Sequence, residues 1–175
     1  MRTVRNATIS ILAVGLLAGA TVGVAAQDEP GIEVTEVTGQ AIFGPWIDDP
    51  GVDETPDGIL VGEDFVFLHG WDTSDARLNG EVTRTVNFRH IPDTGTIESV
   101  AYELTNDGGS WVGDGRGYSA GSDGSGFVAL SGRGGYEGLS AFLVHEGGTG
   151  DGGWDLKGII FPSEVPEVPE PYVAE

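Results

Sequence analysis

Arg84, His90 and Glu98, together with Tyr102, are the residues of this 175-residue chain whose types and placement offer chemistry. Alternation puts Val82, Arg84, Val86, Phe88 and His90 on one face of the segment 81–90. It leaves Glu81, Thr83, Thr85, Asn87 and Arg89, all polar, on the other. In the segment 96–105 the apolar face is Glu98, Val100, Tyr102 and Leu104. A loop over 91–95 pairs His90 with Thr96, Phe88 with Glu98, Val86 with Val100 and Arg84 with Tyr102, bringing both apolar faces to the same side. A guanidinium, an imidazole and a carboxylate then share an apolar interior, where charge is costly unless paired. Such a cluster either holds the polar group of a ligand or supplies acid/base chemistry. The alternative is a structural network at the open end of a barrel, with His90 and Glu98 half solvated by the loop.

The next turn extends the same register. Asp107-Gly108 is a two-residue hairpin signal that pairs Leu104 with Trp111, Tyr102 with Gly113, Val100 with Gly115 and Glu98 with Gly117. Glycines at alternate positions leave room on the inner side for large neighbours, and Trp111 and Tyr102 are expected to fill it. The candidate ligand-binding residues of the interior are therefore Arg84, His90, Glu98, Tyr102 and Trp111.

Two further patterns carry chemistry. From Asp53 to Asp64 the chain has the outline of a calcium loop, with Asp53, Thr55 and Asp57 at positions 1, 3 and 5, Gly58 at 6 and Asp64 at 12. Pro56 at position 4 and the lack of flanking helices argue against it. Trp46, Trp71, Trp111 and Trp154 are of the type that stacks on sugar rings, although such residues are more often core anchors. Trp154, with Leu156, Gly158 and Ile160 at period two, reads as core. Trp71, before the polar loop Asp72–Asn79, reads as the exposed one. His69, His90 and His145 are too scattered to imply a metal site, and neither a Ser-His-Asp signature nor a phosphate loop is present. No cofactor is implied.

The elements that must position these residues are short strands. Thirty glycines, nine prolines and little helical periodicity divide the chain into extended segments at 33–43, 59–68, 81–90, 96–105, 110–119, 125–131, 139–146 and 154–161. Gly62 interrupts the second. Their number and spacing predict an all-β, eight-stranded antiparallel barrel, mostly an up-and-down meander. It occupies 27–162, between an N-terminal export signal and a Pro/Glu-rich, extended and disordered tail over 163–175.

The signal is legible in residues 1–26: Arg2 and Arg5, an apolar run from Ile9 to Val24, and a small-x-small site at Val24-Ala25-Ala26. Cleavage after Ala26 predicts a secreted protein of 149 residues with no membrane span. It would carry 6 basic and 28 acidic residues, a formal charge of −22. That surface excludes nucleic acid and anionic lipid as partners, and suits cation binding or solubility in brine. Absence of cysteine excludes thiol nucleophiles and disulfides. The polar outer face of 81–90 argues against an outer-membrane barrel.

The stretch from Gly124 to Ser140, with Gly132-Arg-Gly-Gly-Tyr136-Glu-Gly138 at its centre, resembles the strand-turn-strand of allene oxide cyclase and dirigent-like barrels. The exit Ile160-Phe161-Pro162 is similar to that of small secreted bacterial proteins with comparable segments. The resemblance covers about a third of the mature chain. It implies an eight-stranded barrel with a central cavity. No motif here matches the plant enzymes' catalytic residues, so their activity is not carried over. The reading these features favour is a non-catalytic extracellular binding or structural module, with a small apolar ligand in the barrel. Its rivals are a cyclase or isomerase using Glu98, His90 or Arg84, and a calcium- or carbohydrate-binding module using the outer loops.

Overall fold

The computed structural model describes residues 33–148 and 153–162. The expected export signal at 1–26, the polar start at 27–31 and the tail at 163–175 lie outside the described residues. The elements in chain order are β1 (Thr35–Asp48), β2 (Val52–Glu54), β3 (Leu60–Thr73), a 3-10 turn (Ala76–Leu78), β4 (Gly80–Ile91), β5 (Gly95–Asn106), β6 (Gly109–Ala120), β7 (Asp123–Gly134), β8 (Ser140–Gly148) and β9 (Trp154–Phe161). Strands β3 to β9 form an antiparallel meander, and β1 pairs with β9 on one side and β3 on the other. The sheet therefore closes into an eight-stranded antiparallel barrel, which leaves no long free edge. Strand β2 is an addition, paired along β3.

Each expected extended segment is a strand, and the register derived from the turns is the one observed. Arg84 faces Tyr102 and Phe88 faces Glu98 across β4–β5, while Leu104 faces Trp111 and Glu98 faces Gly117 across β5–β6. Besides the added β2 and a β3 that runs on to Thr73, two features differ from the sequence reading. Strand β1 runs on to Asp48, with irregularities around Gly44-Pro45 and after Trp46. The break at Gly62 is a bulge, because Gly62 pairs with Phe88 and the next pair is Phe65 with Val86. The extra residue puts Asp64 in the left-handed region (φ 59°), and its N–H donates to Asn87 Oδ1 at 2.7 Å.

The inward rows form one core: Val82, Val86, Val100, Leu104, Val128, Leu130, Leu143, Leu156 and Ile160 are all buried. Burying each such side chain stabilises by roughly 1.5–3 kcal/mol. The outward row of β4 is polar, with Glu81, Asn87 and Arg89 exposed.

One end of the barrel is plugged. Leu78 of the 3-10 turn is fully buried, and Asp75 caps that turn by accepting the Arg77 N–H at 3.0 Å. Trp111 lies beneath it and donates its indole N–H to the Arg77 carbonyl at 2.8 Å. Asn106 donates to the carbonyls of Arg77 (3.1 Å) and Asn79 (3.0 Å) and accepts the Tyr136 hydroxyl at 2.6 Å. Tyr136 stacks on Trp111, with ring centroids 5.2 Å apart. The Gly132–Gly138 motif thus serves the closed end by turning Tyr136 into the plug.

Candidate functional site

The opposite end is open and polar. Three inward glycines make room there for side chains from neighbouring strands. A Cβ at Gly115 would lie 2.8 Å from the Tyr102 ring and one at Gly117 would lie 2.5 Å from Glu98 Oε1, while one at Gly126 would run into the His145 ring. The vacated space therefore seats Tyr102, Glu98 and His145. Trp111, expected to share it, packs against Tyr136 at the plugged end.

Arg84 is the centre of the site and is buried. Its Nη2 donates to Glu98 Oε1 at 2.9 Å, and its Nη1 lies 3.2 Å from His69 Nε2. The guanidinium carbon sits 4.7 Å from the centroid of Trp154 and 5.4 Å from that of Tyr102, a cation held between two aromatic faces. His145 stacks on Trp154, with ring centroids 4.3 Å apart. Burial is thus offset by one carboxylate and by two π-faces.

The electrostatics follow from this crowding. Burial, then the Arg84 charge, then His145 push the His69 imidazole down to about 3. Burial first and Arg84 second lower His145 to about 4. Both rings are neutral at neutral pH. Burial also raises the Tyr102 phenol, keeping it protonated. Because a guanidinium only donates, His69 accepts on Nε2, and the network assigns its proton to Nδ1.

Above Arg84 lies a cavity of about 320 Å³, walled by Phe43, Trp46, Phe67 and Trp154 and ending on His69, Arg84, Glu98 and His145. This is within the scale of small-molecule sites, about 300–1,000 Å³. Trp46 forms the mouth and is 54% exposed. Its ring lies 3.7 Å from that of Phe67 between centroids.

Of the five interior candidates, the structure brings Arg84, Glu98 and Tyr102 together. Tyr102 packs under Arg84 rather than lining the cavity. His90 is separate: it is half-buried at the end of the β4–β5 hairpin, its Nδ1 3.0 Å from Thr96 Oγ1. Trp111 belongs to the plug. Sequence reasoning missed His69 and His145, which stand on β3 and β8 and meet only because the barrel closes. Alternation was the available signal: His145 shares the inward row of Ala141 and Leu143, and His69 that of Phe65 and Trp71.

Trp71 corrects an expectation. Beyond the bulge the odd-numbered residues of β3 face inward, so Trp71 is 4% exposed, its ring 6.0 Å from that of Tyr102. Trp154 is buried, as its period-two neighbours suggest. The segment Asp53–Asp64 forms the β2–β3 hairpin. Asp53 lies opposite Val61, the Thr55 hydroxyl accepts the Ile59 N–H at 3.1 Å, Asp57 is exposed in the turn, and Asp64 is in the bulge. Among the described residues, no three His, Asp or Glu side chains converge as a metal site.

No protein family, curated protein or solved structure matches the chain.

Proposed function

We propose that this barrel is a non-catalytic binding module, exported by its N-terminal segment, that holds a small, largely apolar ligand in its open end. The observation carrying this reading is the 320 Å³ cavity with four aromatic walls over a buried polar end. The plugged end supports it by contrast. There Trp111, Asn106 and Tyr136 have their polar atoms bonded, whereas of the five residues with unpartnered buried side-chain nitrogens among the described residues four, His69, Arg84, His145 and Trp154, line the cavity and only Trp71 does not.

Catalysis is the weaker reading. An acid or base works best with a pKa near the working pH, whereas His69 and His145 sit at about 3 and 4. The Glu98 carboxylate is engaged by Arg84. The dirigent-like resemblance agrees with a cavity-bearing barrel and adds no catalytic residue.

Native mass spectrometry of the exported protein tests this function. A bound small molecule is expected, and Ser119→Trp, which places an indole at the cavity lining, should release it. A wild-type protein with no adduct, and no affinity for any hydrophobic probe, would overturn the reading.

A further inference from the structure

The cavity's unpartnered polar groups are unevenly divided between donors and acceptors. Among the described residues, Arg84 Nε, His69 Nδ1, Trp154 Nε1 and both ring nitrogens of His145 are buried without a hydrogen-bond partner. All four residues line the cavity. Arg84 Nε and Trp154 Nε1 can only donate, and His69 Nδ1 holds the proton because Nε2 accepts from Arg84. A neutral His145 adds one donor and one acceptor. Counted over these buried, unpartnered atoms, the inventory is four donors to one acceptor, while the more exposed Glu98 carboxylate and the Ser119 and Ser125 hydroxyls complete the lining. A buried donor left unpaired is costly, so a guest that completes this site brings lone pairs.

Charge narrows the class. The cavity's one cation, Arg84, is already paired with its one anion, Glu98, at 2.9 Å, and both imidazoles are neutral. The chain around it carries a formal −20, which repels anions at long range. A second carboxylate entering beside Glu98 would meet like charge with no free cation to offset it. A ligand ammonium would bring donors to a site already rich in them, next to Arg84.

Resting on the binding function proposed above, we infer that the ligand is uncharged, with a planar apolar body and an exposed carbonyl-type acceptor. The body lies among Phe43, Trp46, Phe67 and Trp154, and the acceptor oxygen points to the donor group around Arg84. Aryl ketones, quinones, lactones and esters have this chemistry. Free fatty or aromatic acids do not.

Calorimetric titration of the full chain with four probes of one shape is the test: 2-acetylnaphthalene, 2-ethylnaphthalene, 2-naphthoate and 2-naphthylmethylammonium. The ketone should bind about tenfold or more tightly than the hydrocarbon, the scale of a hydrogen bond to a charged donor. Both ions should bind more weakly than the ketone. His145→Phe, which keeps a ring on Trp154 but removes its nitrogens, should narrow the ketone's advantage. Equal binding of ketone and hydrocarbon, or preference for either ion, would overturn the inference and leave the cavity reading standing. Failure of all four to bind would overturn both.

Discussion

Arg84 and Glu98 form an ion pair at 2.9 Å across β4 and β5, although neither residue lies directly opposite the other in the ladder. Tyr102 faces Arg84 and Phe88 faces Glu98, so the pair is diagonal and reaches along the inner wall. Gly117, opposite Glu98, leaves the carboxylate the space to do so.

Breaking that pair from the cationic side should be the more damaging change. Arg84→Met keeps the aliphatic stem between Trp154 and Tyr102 but strands a partly buried carboxylate. A loss of about 3 kcal/mol is expected, the scale for orphaning one member of a buried pair. Glu98→Gln retains an acceptor for Arg84 and should lose less. Urea unfolding of both variants checks the order, and equal losses would contradict it.

Acid should weaken the fold through the two buried imidazoles. Their folded pKa values, about 3 for His69 and about 4 for His145, lie below the ordinary 6.5. Between those limits the unfolded chain binds more protons, so their contribution is full above 6.5 and is lost as pH falls toward 4 and 3. The charges facing them are Arg84 from β4 and Glu98 from β5. Neutralising surface carboxylates relieves repulsion over part of the same range, so the useful quantity is the difference between wild type and His145→Phe. That difference should shrink steadily from pH 7 to pH 4. A difference independent of pH would contradict the assignment.

Glycines should divide by what faces them. A Cβ at Gly126 would meet the Arg116 carbonyl and the His145 ring, whereas one at Gly70 meets nothing within 4 Å. Gly126→Ala is expected to destabilise by roughly 1–3 kcal/mol through overpacking and to displace His145. Gly70→Ala should be neutral or mildly stabilising. Thermal unfolding of the two variants distinguishes them.

The plug should be separable from the cavity. Asn106→Ala removes the acceptor of Tyr136 and the donor to the Arg77 and Asn79 carbonyls, leaving buried groups unpaired. A cost of about 1–3 kcal/mol follows. Probe affinity at the open end should not change. A parallel loss of binding would mean that the two ends are coupled.

The meander was readable because its turns are short and the outward face of β4 is polar, which together fix the register. The row Arg84, Glu98, Tyr102 came directly from that alternation. His69 and His145 were not readable as partners, because their contact with Arg84 depends on β1 closing onto both β3 and β9. Trp71 was misread because the expected segment ends at 68 and a polar loop follows: β3 instead runs on to Thr73, and beyond the bulge its odd-numbered residues, Trp71 among them, face inward. His90 keeps the expected row but lies beyond Phe88, at the hairpin end, where Thr96 takes its ring nitrogen.

The four tryptophan indoles make the most direct test of the central claim, because Trp46 and Trp154 line the cavity while Trp71 and Trp111 lie elsewhere. In a two-dimensional ¹⁵N–¹H spectrum titrated with 2-acetylnaphthalene, the Trp46 and Trp154 side-chain signals should move together and saturate, with Trp111 unmoved. Four stationary signals, or a shift centred on Trp111, would contradict a binding site at the open end of the barrel.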